Sequence, residues 1–443
     1  MESVLTRKTI ATYAVGSVGT GGFGTLPGLV LLAYMTDNLG IAAAAAGALI
    51  TVAKVWDVII DPVIGARSDR SLALRGSRRP AMILGALSLP VFFVLTFAVP
   101  PGIGPVASGI WVLLAFVITA TAFSLFQVPY IALPAELTDD YHARTRLISA
   151  RVVVLTLAIL LFGAGAPEIQ KAFSNAYTGY LVMAIVAGLV IGAGLLVASF
   201  VARRREPTPA EPFSIVDNYR AGFAALRRSQ PFRSLLATFL LQGLATGLML
   251  AGALYLANHV IHADGVTFIF VSLVGPAILF APVWAMISRR LGKERTFVIA
   301  SALFGLAALS MVALVWFPGF WVYGPIALAG IGYAGMQSLP LSMLPDVISH
   351  DAQRHGQGAA GSFGGVWTAG ETTGIALGTT VLGIVLSASG YLESVGGVQL
   401  AQPASAVTGI ALSFSIVPAV IIAISLVTFS RYPLRKADID ALS

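Results

Sequence analysis

The sequence predicts an all-α integral membrane protein, with twelve transmembrane helices arranged as two pseudo-symmetric six-helix bundles. Three observations carry this. Of the 443 residues, 57% are hydrophobic and only 11% are charged, against roughly 25% charged in a soluble domain, and mean hydropathy is +0.87. The apolar residues fall in twelve separate runs, each reaching the ~20 residues needed to cross ~30 Å of hydrocarbon. Basic residues are confined to alternate gaps between those runs.

The runs, with soft edges, cover 9–36, 42–66, 79–99, 106–134, 147–167, 177–201, 232–258, 265–288, 295–317, 320–346, 358–388 and 404–430. Turn residues separate them, such as Pro100-Pro101-Gly102 after the third and Pro318-Gly319 after the ninth. Runs this long, without ten-residue apolar/polar alternation, predict helices and not a barrel. Arg7 and Lys8 precede an apolar run far longer than a signal-peptide core, and no small-residue cleavage site ends it, so it reads as the first span.

An even count puts both termini on one side. Arg7 and Lys8, the Arg67–Arg79 cluster, Arg144, Arg146, Arg151, Arg203–Arg233, Arg289–Arg295, Arg354, and Arg431, Arg435 and Lys436 all fall on that side. The opposite gaps hold only Lys171, and Lys54 lies inside a run. The positive-inside rule then makes both termini cytoplasmic and the protein a multi-pass inner-membrane chain. It also accounts for the net charge of +7 without a nucleic-acid partner.

The longest gap divides the chain into residues 1–201, a central cytoplasmic loop 202–231, and residues 232–443. Val216, Tyr219, Phe223 and Leu226 in that loop have helical spacing and predict an amphipathic surface helix. The basic loops after runs two and eight, RSDRSLALRGSRR and SRRLGKERT, occupy corresponding places in the halves. Repeated halves around a midplane site are a common transporter plan. A transporter is expected, not an enzyme. The absence of Cys excludes disulfides and thiolate metal sites, and no phosphate loop, nucleophile elbow or metal-spaced His cluster is present. No cofactor beyond a coupling ion is expected, and the expected partners are a small solute and the bilayer around a monomer.

Ionisable groups inside spans are costly and default to functional candidates. The clearest set is Lys54, Asp57 and Asp61 in KVWDVIIDP. The two carboxylates are four residues apart, on one helix face and about 6 Å apart along the axis. They repel unless a cation or proton sits between them, which is what a coupling site requires. A structural Lys–Asp pair beside one protonated Asp is the plainer alternative. Pro62 leaves the carbonyl of Val58 as a further oxygen ligand. In span four, Ser124 and Gln127 are one turn apart and can face one cavity. In span eleven, Glu371, flanked by Thr368 and Thr372, reads as a second proton site or a solute contact, or else as a protonated residue bonded to a neighbouring helix. Gly16, Thr20, Gly24 and Gly28 form a small-residue face read as close helix packing, and Asp37 and Asn38 end span one at the periplasmic surface.

KVWDVIIDPVIGARSDR resembles the second-helix signature of the glycoside–pentoside–hexuronide:cation symporters. VPYIALPAELTDDYHARTRLISAR, TDNLG and SMLPDVISHDAQRHGQGAAGSFGGVWTAGE agree with that family in order. The resemblance implies the major facilitator fold, alternating access and H⁺- or Na⁺-driven symport. By position, it assigns the cation, including Na⁺ as a metal, to Asp57 and Asp61 with Ser124. It assigns the solute to Thr20, Gln127, Arg151, Trp367, Glu371 and Thr372, and gating charge pairs to Lys54, Arg144 and Asp346. The chain also departs from the family's melibiose permease. Ile60 replaces an asparagine of the Na⁺ shell, Thr20-Gly21 replace a Lys-Asp pair, Gln127 replaces an aspartate, Ile131 stands for the stacking tryptophan, and Thr372 replaces a lysine. These losses favour H⁺, and they make a carrier of a lysophospholipid-like amphipath, or a proton-driven exporter, the alternative to sugar symport.

Overall fold

A computed structural model describes residues 6–434 except 139–140, 203–219, 221–223, 225, 264 and 356–359; the side chains of 135, 141, 142, 144, 145, 352, 354, 355 and 360–362 also lie outside the description. The chain divides into two compact units, Met1–Phe213 with Glu393–Leu400, and Ser214–Leu392 with Ala401–Ser443.

The first unit contains α1 (Arg7–Ala33), α2 (Ala43–Arg75), α3 (Arg79–Phe97), α4 (Pro105–Leu137), α5 (Tyr141–Lys171) and α6 (Ala176–Ser199). Caps set several ends. The Thr6 and Asn175 side chains accept from the amides of Thr9 and Thr178, satisfying orphan N–H groups. Gly76, at φ 68°, stops α2 in the left-handed conformation that glycine adopts without strain. The unit's core is aromatic. Phe23 packs on Phe93, Phe116 and Phe123, and Tyr34, Phe97 and Tyr180 form the next layer. On α3, Leu84, Leu87 and Val91 are each more than half exposed at helical spacing. An apolar stripe turned outward is the inverse of a soluble helix and fits a lipid solvent.

The second unit contains α7 (Gln230–Tyr255), α8 (Thr267–Leu291), α9 (Lys293–Ser310), α10 (Tyr323–His355), α11 (Ala360–Ala388), α12 (Ala404–Phe414) and α13 (Ile416–Phe429). Its core gathers Phe232, Phe239, Phe297, Met343, Phe363, Trp367 and Phe429. Among the described residues, eleven helical stretches are long and apolar enough to span a membrane. The predicted span 320–346 begins in a 3-10 turn, Phe320–Val322, and continues in α10, where Tyr333, Gln337 and Ser338 dilute its apolar character. The last span predicted as one run is two helices broken at Ser415. Pro418 lacks an N–H and its ring clashes with the carbonyl of Phe414, which forces the break.

The two units repeat one plan. Both first helices end in a five-residue π-turn, Tyr34–Asn38 and Leu256–Val260. Helices α4 and α10 each have 33 residues with two prolines five apart, Pro129 and Pro134, Pro340 and Pro345. An acid just past the second proline binds a basic residue at the start of the third helix of its own unit. These pairs are Arg78 with Glu136, and Lys293 with Asp346 at 2.6 Å.

The small-residue stripe is not one packed face. A side chain at Gly16 would lie 2.7 Å from the Tyr130 ring and one at Gly21 2.7 Å from Ala158, whereas Gly24 has nothing within 4 Å. Helix α1 is surrounded by α5 and α6, so its packing glycines lie on several faces. Val216, Tyr219 and Phe223 of the expected surface helix lie outside the described residues, while Leu226 packs on the second unit's core. Finally, residues 393–400 belong to the first unit. Their amides at Ser394, Gly396 and Gly397 donate to Thr36, Asn38 and Asp37 carbonyls at 3.0 Å each, Leu39 and Val395 form an antiparallel bridge, and Glu393 caps the Ala43 amide at 3.0 Å.

Candidate functional site

Helix α2 carries the acids. Lys54 Nζ lies 3.5 Å from Asp57 Oδ2, and also 4.9 Å and 5.4 Å from the Phe23 and Phe116 ring centres. The ammonium therefore sits between one carboxylate and two aromatic faces, a favourable cation–π geometry. Asp61, one turn further, lies beside the Ser124 hydroxyl and within electrostatic reach of both Asp57 and Lys54. The Oδ1 atoms of Asp57 and Asp61 are buried with no hydrogen-bond partner. Buried acceptors left open cost free energy, so they mark a place where a proton or cation fits. The described residues hold no group of three His, Asp or Glu spaced for a metal. A Na⁺ ion would therefore rest on Asp57, Asp61 and Ser124.

On the α1–α4 contact, polar pairs stack in layers. Thr20 Oγ1 donates to Gln127 Oε1 at 2.8 Å, which leaves the amide NH₂ of Gln127 free to donate. One turn away, Tyr130 Oη donates to the Tyr13 carbonyl at 2.7 Å and bonds Ser17 Oγ at 3.1 Å. The Tyr13 and Tyr130 rings stack at 4.6 Å. Arg151 of α5 lies over Tyr130 at 5.2 Å, next to the Tyr13 hydroxyl. The structure thus brings Thr20, Gln127 and Arg151 onto one polar strip. The sequence reading missed Tyr13 and Ser17 of that strip. A signal existed, since Tyr13, Ser17 and Thr20 recur at helical spacing in an otherwise apolar span.

In the second unit, Glu371 has no ion pair or hydrogen bond among the described residues, and Tyr333 lies within its electrostatic reach. Thr372 follows it on α11, half-buried. Trp367 is 3% exposed and stacked on Phe239 at 4.4 Å, with its indole N–H buried and without a hydrogen-bond partner. Asp346 is held by Lys293, whose Nζ also donates to the Ser342 carbonyl at 2.9 Å. The side chain of Arg144 lies outside the described residues.

Residues 12–436 match the family described as MFS/sugar transport protein. The chain belongs to that family. It is a transporter of the major facilitator superfamily and not an enzyme. The glucuronide carrier protein homolog of Escherichia coli (strain K12) is 26% identical over 98% of this chain and 94% of its own length. The sphingosine-1-phosphate transporter MFSD2B of Xenopus tropicalis is 24% identical over 98% of this chain and 89% of its own. A solved structure from work on proton-dependent oligopeptide transporters superposes with TM-score 0.70 at 15% identity, covering 98% of this chain and 99% of that one, which fixes the fold. In this chain the two carboxylates of α2 each keep one open oxygen, although Asp57 also faces Lys54 and Asp61 also faces Ser124.

Proposed function

We propose that this protein is a symporter of the inner membrane, with both termini cytoplasmic, that uses Asp57 and Asp61 to draw an organic solute across by alternating access. The observation that carries the reading is the pair of unpartnered Oδ1 atoms on one face of α2. The proton is the favoured coupling ion. Ile60 brings no side-chain oxygen, so the side-chain oxygens number fewer than a hard metal cation gathers, whereas a proton needs one carboxylate. A glycoside-like solute is the leading cargo, supported by the sugar-transport family and the glucuronide carrier homolog. The likeness to a sphingosine-1-phosphate transporter supports an amphipathic solute as the second reading. Cation and solute stabilise a common occluded state, and that coupling is reciprocal.

The test uses proteoliposomes with an imposed H⁺ or Na⁺ gradient. Asp57→Asn should abolish cation-driven accumulation while the protein still folds. Accumulation at the wild-type level in that variant would end the assignment.

A further inference from the structure

Resting on the alternating-access reading, we infer that residues 393–400 form a strap that clips the connection between α11 and α12 onto the end of α1, and that this strap unclips in every transport cycle. The segment groups with the first unit, while Leu392 before it and Ala401 after it group with the second. It is held at both ends. On the first-unit side, the amides of Ser394, Gly396 and Gly397 donate to carbonyls of the π-turn that ends α1. Ser394 Oγ donates to the Asp37 carbonyl at 2.8 Å, and Glu393 accepts from the first amide of α2. On the second-unit side, Gln402 binds both backbone groups of Leu392, accepting from its amide at 2.9 Å and donating to its carbonyl at 3.0 Å. Tyr391 is fixed by its amide bond to the Leu386 carbonyl and by His259 Nε2, 3.1 Å from its hydroxyl.

These anchors leave no slack. Only Glu393 separates Leu392, bonded on the second unit, from Ser394, bonded on the first. An extended chain reaches at most about 3.6 Å per residue, so alternating access that shifts one unit against the other by more than a few ångströms breaks one set of bonds. Burial decides which set gives. The root is packed, since Tyr391 is buried edge-to-face against Tyr255 at 5.4 Å. On the strap, Val395 and Val398 are more than half exposed, so little apolar surface holds it down. The docking site also carries a cost that release removes. Asn38, whose carbonyl receives the Gly396 amide, is fully buried, and neither polar atom of its side chain has a partner. A buried amide in that state is unfavourable until water reaches it. The clasp therefore opens at its docked face and stays rooted at Tyr391 and Leu392.

Two experiments on the full-length protein test this. In nanodiscs, spin labels on a Ser174→Cys, Val398→Cys pair should report two distances, one docked and one longer. Glu393→Ala should enlarge the longer population. A single docked distance at every pH and in Glu393→Ala overturns the inference. In proteoliposomes with an imposed H⁺ gradient, the probes are methyl β-D-glucuronide and lysophosphatidylcholine. Oxidising a Leu39→Cys, Val395→Cys pair should stop uptake of whichever probe the reduced protein carries, and dithiothreitol should restore it. Each single cysteine variant should ignore the oxidant. Slack should then rescue the locked protein. Four glycines inserted after Leu392 and four after Leu400, adding about 13 Å to each flank, should return uptake with the disulfide intact, whereas a bond that merely damaged the fold gains nothing from longer flanks. Full uptake with the pair oxidised, or a locked protein that slack does not rescue, overturns the inference; if neither probe enters, the distances decide alone. If the locked protein transports like wild type while Asp57→Asn does not, the strap falls and the symporter reading stands. If the lock stops uptake while Asp57→Asn accumulates like wild type, the coupling assignment falls and the strap stands.

Discussion

At the residue scale, the first unit separates bound charge from available charge. Arg78 is anchored by Asp69 at 2.5 Å, by Glu136 and by Ser68 Oγ at 2.9 Å, so it locks the ends of α2 and α4 to the start of α3. Removing one partner of a buried network leaves the others uncompensated, typically at roughly 3 kcal/mol. Arg78→Ala should therefore lower the thermal midpoint of the purified protein, and Arg78→Lys should restore part of it. An unchanged midpoint would show that the network is decorative. Lys54 and Asp57 are bound to one another, but each α2 acid keeps one open oxygen, which is why those acids carry the coupling proposal. The acid pair and Lys54 were legible in the sequence because an ionisable residue in an apolar run stands out without any knowledge of its neighbours. The state of Arg151 was not, since whether an arginine is paired depends on which helices surround it.

At the scale of elements, helix positions were legible because ~20 apolar residues admit one solution in lipid. Breaks within spans and docking of loops were not. The segment 393–400 reads as a plain linker, yet it pairs with the end of α1 through three backbone bonds. Gly397 sits at φ 73°, where a Cβ both strains the backbone by about 1–2 kcal/mol and collides with Ala176. Gly397→Ala should raise amide hydrogen exchange in residues 393–400 and leave the core helices protected; an unchanged exchange profile would argue against the docking. The chain has no cysteine of its own, so a Leu39→Cys, Val395→Cys pair is a clean reporter. A bridged antiparallel pair lies within disulfide reach at about 4.5–5.5 Å between Cα atoms, and mild oxidation should link it. A pair that stays reduced would contradict the bridge.

At the scale of the molecule, the distribution of Lys and Arg predicts that both termini are cytoplasmic, and the absence of cysteine again makes the test direct. An impermeant maleimide should label Ser174→Cys in intact cells, and Arg290→Cys only after permeabilisation. The reverse pattern would invert the topology and with it the direction in which the solute site opens. The repeated plan has a composition trace, the corresponding basic loops, but its content is three-dimensional: matching π-turns, matching proline pairs and matching Arg–Glu and Lys–Asp locks.

By itself, the sequence determined that this chain lives in lipid, that it crosses many times as helices, and that two acids share a face of the second span. Each of these follows from the cost of polar groups in hydrocarbon, which acts on every residue wherever its neighbours fall. Only the tertiary structure decided which charges are satisfied, that Trp367 stacks in the core, that residues 393–400 dock on the first unit, and that Arg151 lies beside Tyr13 and Tyr130. Those outcomes depend on contacts between residues distant in the chain, and a one-dimensional pattern of polarity holds no record of which side chain arrives beside which.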